Sequence, residues 1–216
     1  LCLYVLGRAT TPLAQYGARI LLVALSLVAW FRTQAMISSR PAKEGVITDG
    51  LHVLSAPWHG WLQARPRAAN AILICSSAFI DAFGIFLILW SVFGPGIRPF
   101  VALLILFAFR QVSQAVCALP APPGMIWRNP GFPSLLVTYG TGNDFFFSGH
   151  TAIAVLGAIE LSRISPWLGA AAAAIAFLEG AVVIVLRAHY TMDVLAAIAA
   201  AWCAVCLSDW IFGVLV

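Results

Sequence analysis

Long apolar segments separated by short polar junctions run along most of this chain. A membrane-spanning helix needs about 20 mainly apolar residues to cross about 30 Å of hydrocarbon. The stretch from 166 to 208 would be about 65 Å long as one helix, so we predict that it turns back at its only polar place, residues 187–193. The pattern therefore predicts an all-α fold, with one membrane domain over residues 1–216 and six transmembrane helices in one bundle. The predicted spans cover approximately residues 13–37, 68–93, 99–119, 148–164, 166–187 and 190–210.

One further apolar segment, residues 51–62, is too short and too interrupted to span a membrane. Its tryptophans and histidines are typical of a helix or loop that lies in the membrane interface. We expect His52 and His59 to form hydrogen bonds in that interface, and contact with lipid headgroups is the alternative.

Composition leads to the same class of protein. Hydrophobic residues make up 62% of the chain and charged residues 9%, against about 45–50% and about 25% in soluble domains. The net charge is +4, and the basic residues stand singly, which excludes the clustered basic face of a nucleic-acid-binding protein. Cys203 and Cys206 form a CxxC without a second pair, and we interpret them as small helix-packing residues. No charged leader with a cleavage site begins the sequence, so we predict no signal peptide.

Two polar clusters interrupt the apolar runs, GNDFFFSGHT at 142–151 and RAHYTMD at 187–193. His150 begins the predicted fourth span and His189 begins the sixth, and the chain crosses and returns between them. We therefore expect both histidines at one membrane face, together with Arg110 at the end of the third span.

The residue types in these clusters are suited to phosphate chemistry. His189 and Asp193 are four residues apart, so on a helix the carboxylate could take the Nδ1 proton and leave Nε2 as a nucleophile. Ser148 and Gly149 suit a helix start, where free amides favour an anion. Arg110 and Arg187 offer planar donors that match phosphate oxygens. The sequence therefore predicts a phosphate-handling site at this membrane face.

Three carboxylates remain open to two interpretations. Asp144 could orient a histidine or contact a polar acceptor, or it could be a solvated loop residue. Asp81 lies near the middle of the second span, where a charge is costly and often functional, but it could also cap or pair with a neighbouring helix. For Glu179, pairing within the bundle is favoured over a part in proton movement.

The two clusters resemble a known signature. Phe147–Thr151 followed by His189–Val194 is similar to the signature of sphingomyelin synthases, a branch of the type 2 phosphatidic acid phosphatase superfamily. Arg110, nine residues before the LPAP sequence at 119–122, and Asp144 also resemble that branch. The RxHYTxD form of the second cluster is similar to plant phosphatidylcholine:diacylglycerol cholinephosphotransferases as well. The resemblance covers the half of the chain from Arg110 to the C-terminus, and the predicted six spans also fit it.

The resemblance implies a lipid phosphotransferase or phospholipase C-like enzyme that cleaves a phospholipid headgroup through a phosphohistidine intermediate, without a metal or another cofactor. His189 would attack the lipid phosphate, Asp193 would orient it, and His150 would act as general acid and then as general base. The remaining residues expected to contact the phosphate or headgroup are Arg110, Asp144, Ser148, Gly149, Arg187 and Tyr190. The implied partners are a phospholipid substrate and a lipid acceptor, diacylglycerol or ceramide, in the membrane, without nucleic acid, and water is the other acceptor that the mechanism allows.

The sequence lacks motifs that the phosphatases of the superfamily carry, and their absence favours the synthase-like branch. The phosphatases of the superfamily carry a Lys-x6-Arg-Pro motif and a proline before SGH, whereas the only lysine here is Lys43 and Phe147 precedes SGH. A lipid phosphate phosphatase is thus only the alternative to a lipid phosphotransferase. A non-enzymatic transporter with a proton path is the second alternative. The basic residues favour a cytosolic site by the positive-inside rule, but the resemblance implies an exoplasmic site, lumenal or periplasmic, and we expect the latter.

Overall fold

The structure is a computed structural model that describes residues 12–39, 44–137, 139 and 145–215. Every regular element in this part of the chain is a helix, as the apolar pattern predicts. The helices are α1 (Pro12–Ser38), α2 (Gly50–Leu54), α3 (Ala56–Gln63), α4 (Pro66–Phe93), α5 (Arg98–Val116), α6 (Gly149–Ile164), α7 (Pro166–Val185) and α8 (Thr191–Leu215).

Five of these helices are long and apolar enough to cross a membrane: α1, α4, α5, α7 and α8. The prediction of six such spans is therefore wrong for the described residues. The difference lies in α6, which has only 16 residues because Ser148 caps its start and Ser165–Pro166 ends it. At about 1.5 Å per residue, it falls short of the length that a full crossing requires.

The short helix α6 lies at the centre of the bundle and packs against α4, α5, α7 and α8. Its buried residues include Ala152, Ala154 and Leu156, and the small residues among them allow neighbouring helices to approach closely. Helix α1 packs only at the edge of the bundle, against α4 and α5. Most of its apolar side chains are exposed at the surface of the bundle, as expected for a helix that faces lipid.

Residues 51–62, predicted to lie in the membrane interface, fold as the two short helices α2 and α3. Trp58 and Trp61 are exposed there, whereas His52 and His59 are buried against the turn between α7 and α8. The hydrogen bonds expected of the two histidines are therefore present, but their partners are backbone carbonyls of the protein. Cys203 and Cys206 are free and exposed on α8, so the prediction that they pack helices together is wrong.

Candidate active site

A cavity lies where α5, the start of α6 and the turn between α7 and α8 meet. Its volume is about 60 Å³, and one water needs only about 10–15 Å³ by this measure, so it has room for a group of several heavy atoms. The residues lining it that carry polar or aromatic groups are Arg110, His150, His189, Trp127, Trp30, Phe107 and Phe145, beside the backbone of Gly149. The two polar clusters of the sequence thus meet, with Arg110, in one place.

The ring of His189 is held by a backbone group. Its Nδ1 lies 2.7 Å from the carbonyl oxygen of Phe145, and a carbonyl can only accept, so Nδ1 carries the proton. In the neutral ring Nε2 then has a free lone pair, as a nucleophile requires. The Phe145 carbonyl, just before α6, therefore holds His189 in this tautomer. The sequence had led us to expect that the carboxylate of Asp193 would do so.

Asp193 occupies a different position from the one predicted. Its Oδ2 is 3.5 Å from His189 Nδ1, too long for a strong hydrogen bond, and accepts from the amide of Tyr190 at 2.8 Å. The reason is that α8 begins at Thr191, so His189 lies before the helix and the two side chains do not stack on one helical face. Asp193 is fully buried, and its negative charge still faces the imidazole.

His150 lies in the first turn of α6 and is buried. Its ring packs edge-to-face against Trp127, with ring centroids 5.0 Å apart. Nε2 of His150 has no hydrogen-bond partner among the described residues. Sequence reasoning missed Trp127, since it lies in the loop between α5 and α6, where no periodic pattern places a side chain. The only signal was a large aromatic residue among turn-forming prolines and glycines.

Arg110 reaches the same cavity from α5. Its Nε donates to the carbonyl of Phe147 at 3.2 Å, and Nη1 donates to Gln34 on α1, also at 3.2 Å. The guanidinium packs closely against the first turn of α6. A Cβ atom added at Gly149 would lie only 3.2 Å from Nε of Arg110. This combines a buried cation with the free amides of a helix start, the arrangement that favours an anion.

Ser148, which was expected to contact phosphate, does not line the cavity. Its Oγ accepts from the amide of Thr151 at 3.3 Å and so caps α6, and its own amide donates to the carbonyl of Asp193 at 3.2 Å. Ser148 therefore joins the starts of α6 and α8, which brings the two histidines together.

The side chains of Arg187 and Tyr190 also bind groups outside the cavity. Arg187 donates from Nη1 to the carbonyl of Pro123 at 2.8 Å, and the Tyr190 hydroxyl donates to the carbonyl of Pro120 at 3.1 Å. Burial, with the nearby carboxylates of Asp193 and Asp49, raises the pKa of Tyr190, so this hydroxyl remains a donor. Both side chains thus fix the LPAP loop, residues 119–123, to the turn between α7 and α8, and neither lines the cavity.

Helices α2 and α3 hold that turn from the other side. His52 Nε2 donates to the carbonyl of His189 at 2.9 Å, and His59 Nδ1 donates to the carbonyl of Val185 at 2.8 Å. Burial lowers the pKa of His59, and the charge of Arg187 contributes. His59 is therefore neutral at pH 7 and not available as a cation for lipid phosphate.

Asp49 is a second residue that sequence reasoning missed. Its carboxylate accepts from the amides of Leu51 and His52 at the start of α2. It also accepts from the amide and the hydroxyl of Thr191, at 2.7 Å each, at the start of α8. An Asp before a short apolar segment is a helix-cap signal, but its second partner, 142 residues away, carries no local signal.

The structure gives partners for two of the three carboxylates whose roles the sequence left open. Asp81 accepts from the amides of Leu135 and Leu136 at 2.8 and 2.9 Å and supports the loop that forms one wall of the cavity. Glu179 accepts from Ser76 on α4 at 2.5 Å, the pairing within the bundle that was favoured. Asp144 lies outside the described residues. Among the described residues, no group of three or more His, Cys, Asp and Glu side chains could hold a metal ion.

Comparison with known proteins gives one result. No curated protein and no solved structure matches this chain. A protein-family model described as AtPDCT1/2 matches residues 48–210, which agrees with the cholinephosphotransferase part of the resemblance, whereas the sphingomyelin synthase branch is not confirmed. Because the matched region covers most of the chain and contains both histidine clusters, the protein belongs to the AtPDCT1/2 family, the phosphatidylcholine:diacylglycerol cholinephosphotransferase family.

Proposed function

We propose that this protein is a membrane lipid phosphotransferase that moves a phospho-headgroup, choline phosphate, from a phospholipid to the hydroxyl of diacylglycerol. The observation that carries the proposal is the convergence of His150, His189 and Arg110 on one cavity, in a chain of this family. The resemblance to lipid phosphotransferases supports a site on the exoplasmic face, lumenal or periplasmic.

In the proposed site, the phosphodiester lies in the cavity, beside Arg110 and the first turn of α6. The Arg110 side chain is buried, and burial strengthens its attraction to an anion because little water screens the charge. The free amides at the start of α6 add partial positive charge at the same place. Both groups would stabilise the additional negative charge of the transition state.

In the first half of the reaction, His189 Nε2 attacks phosphorus and a P–N bond forms. The bond from phosphorus to the glycerol oxygen breaks, and the protonated His150 gives its proton to that oxygen, so that diacylglycerol leaves. Burial, with the charges of His189 and Arg110, lowers the pKa of His150 to about 3 without substrate. The anionic phosphate beside the ring opposes this effect and favours the protonated form that the step requires. The hydrogen bond from Nδ1 to Phe145 and the charge of Asp193 stabilise the positive charge that develops on His189.

The second half reverses these roles. His150, now neutral, takes the proton from the hydroxyl of a second diacylglycerol, the oxygen attacks phosphorus, and the P–N bond to His189 breaks. If water replaced diacylglycerol, the same steps would hydrolyse the phospholipid. The apolar and aromatic walls formed by Trp127, Phe145 and Val137 favour a lipid alcohol over bulk water.

The test uses purified protein in liposomes that contain phosphatidylcholine labelled in the headgroup, with and without added diacylglycerol. We expect label to move to diacylglycerol, and His189→Gln to reduce the rate by at least about a thousandfold, because the nucleophile is lost. The matched control is His59→Gln, which replaces a histidine outside the cavity and should keep most of the activity.

Three outcomes separate the possible functions. Release of water-soluble choline phosphate without an acceptor would indicate hydrolysis instead of transfer. Equal activity of the wild-type protein and His189→Gln would exclude the phosphohistidine mechanism. Absence of both reactions in the folded wild-type protein would count against an enzyme of this type.

A further inference from the structure

A second, apolar cavity adjoins the active-site cavity, in the groove between α1 and α5. Its volume is about 220 Å³, over three times that of the active-site cavity. Its walls include Leu27 on α1 and Phe100, Leu103 and Leu104 on α5. The active-site cavity is too small for the acyl chains of a lipid, so these chains need a place outside it.

The groove and the active-site cavity share two walls. Trp30 and Phe107 line both, and their rings lie in contact, with centroids 5.3 Å apart. Gln34 of α1 accepts from Arg110 and from Gln111 of α5, at 3.2 and 3.3 Å. The seam between α1 and α5 is therefore polar beside the active site and apolar beyond it, which matches the shape of a lipid whose reacting end is polar.

The polar groups of the groove show what kind of lipid fits. Ser26 and Thr33 bond to carbonyls of their own helix. Two buried atoms have no partner among the described residues, the donor Nε1 of Trp30 and the acceptor Oε1 of Gln111. A buried polar atom without a partner costs free energy, so a ligand that supplies both partners gains two hydrogen bonds.

We propose that the α1–α5 groove binds the diacylglycerol acceptor, a proposal that rests on the proposed function of the adjoining cavity. An acyl chain lies along Leu27, Phe100, Leu103 and Leu104, an ester carbonyl accepts from Trp30 Nε1, and the free hydroxyl donates to Gln111 Oε1. From there the hydroxyl passes between Trp30 and Phe107 into the cavity with His150. A choline phospholipid offers ester carbonyls but no hydrogen-bond donor, so Gln111 favours diacylglycerol over the donor lipid.

Another apolar groove serves as the comparison. It lies between α3 and α7, has a volume of about 260 Å³ and is lined by Trp58, Ala181 and Val182 among others. None of the residues that line it lines the active-site cavity. It therefore offers no path for a lipid to His150 within the described part of the chain.

The first experiment measures binding without catalysis. A diacylglycerol with a diazirine in one acyl chain is irradiated in liposomes with wild-type protein and with His189→Gln, and cross-linked peptides are mapped by mass spectrometry. We expect labelling of α1 and α5 in both proteins, with competition by unlabelled diacylglycerol. A phosphatidylcholine with the same diazirine should label this groove less.

The second experiment blocks one groove at a time. Ala29→Trp fills the α1–α5 groove, and the matched control Ala181→Trp fills the α3–α7 groove. We expect Ala29→Trp to raise the KM for long-chain diacylglycerol by about tenfold or more, with little change when a short-chain diacylglycerol is the acceptor. Ala181→Trp should leave both values unchanged. Trp30→Phe, which keeps a ring but removes the donor, should raise the KM roughly two- to tenfold, the range of one hydrogen bond.

The outcomes distinguish this proposal from the proposed function. Cross-links in α1 and α5 without any transfer would keep the groove and overturn the function. Transfer with cross-links only in α3 and α7, or with phosphatidylcholine labelling the α1–α5 groove more strongly than diacylglycerol, would overturn the groove proposal. Equal effects of Ala29→Trp and Ala181→Trp would do so as well.

Discussion

At the scale of single residues, the reactivity proposed for His189 depends on the backbone of another polar cluster. The Phe145 carbonyl accepts from Nδ1 at 2.7 Å, so the lone pair is on Nε2. The amide three residues further on, that of Ser148, donates to the carbonyl of Asp193. The two clusters thus fix each other through main-chain atoms, and the tautomer of His189 follows from the path of the chain before α6.

Gly149→Ala tests the contact between Arg110 and the start of α6. A Cβ at this position would lie 3.2 Å from Arg110 Nε, so the guanidinium has to shift. We expect the rate of headgroup transfer to fall roughly tenfold to a hundredfold, because a misplaced cation stabilises the transition state less. The thermal unfolding temperature should stay the same or rise, since alanine favours a helix over glycine.

The matched control is Gly17→Ala on α1, where a Cβ would meet nothing within 4 Å. This variant should transfer headgroups at the wild-type rate. Full activity of Gly149→Ala would mean that the Arg110 guanidinium does not need its place against α6.

At the scale of elements, the turn between α7 and α8 is made without glycine or proline. Arg187 adopts a positive φ of 54°, an uncommon conformation for a residue with a side chain. Its own side chain bonds to Pro123, and His52 and His59 bond to carbonyls on either side of it. Helices α2 and α3 and the LPAP loop thus supply the contacts that hold a turn whose sequence has no turn signal.

Asp49→Ala tests this arrangement, because one carboxylate caps both α2 and α8. We expect a loss of about 1–2 kcal/mol in the free energy of unfolding, the usual range for a helix cap. The control Glu44→Ala removes an exposed carboxylate nearby and should have little effect. Equal unfolding temperatures for these two variants, measured in detergent, would contradict the double cap.

The same residue gives the stability a pH dependence. Burial raises the pKa of Asp49, but hydrogen bonds from Thr191 and His52 outweigh it and hold the pKa below its ordinary value. A lowered pKa in the folded state means that the carboxylate stabilises the fold above the unfolded pKa of about 3.9 and loses this effect as the pH falls through the folded pKa. The difference in unfolding temperature between wild type and Asp49→Ala should be constant from about pH 5 to 8 and shrink below about pH 4.

At the scale of the whole molecule, two clusters of charged groups lie at opposite ends of the bundle in the described part of the chain. The cavity lies at one end, and Arg98, Glu160, Arg163 and Asp209 form ion pairs at the other. Along α5, Arg98 and Arg110 are separated by about 18 Å at the usual rise per residue. One end therefore carries the proposed active site, and the ion pairs at the other end join α5, α6 and α8.

Glu160→Gln should separate stability from activity. Glu160 is almost fully buried beside Arg98, so the loss of its charge should lower the free energy of unfolding by about 1–3 kcal/mol. Asp209→Asn, in an ion pair whose side chains are 40% exposed, should cost less than about 1 kcal/mol. Per folded molecule, both variants should transfer headgroups at the wild-type rate, and a slower rate would show that the two ends are coupled.

The sequence by itself determined the all-helical class, five of the long apolar helices and the convergence of His150, His189 and Arg110, because long apolar segments and their order leave few ways to arrange a chain in a membrane. Tertiary structure decided the backbone acceptor for the Nδ1 proton of His189, the double cap by Asp49 and the positions of Arg187 and Tyr190 against the LPAP loop. These features depend on main-chain oxygens and on loops such as the one carrying Trp127. Backbone acceptors are the same at every residue, and loops lack periodicity, so neither leaves a pattern that the sequence can show.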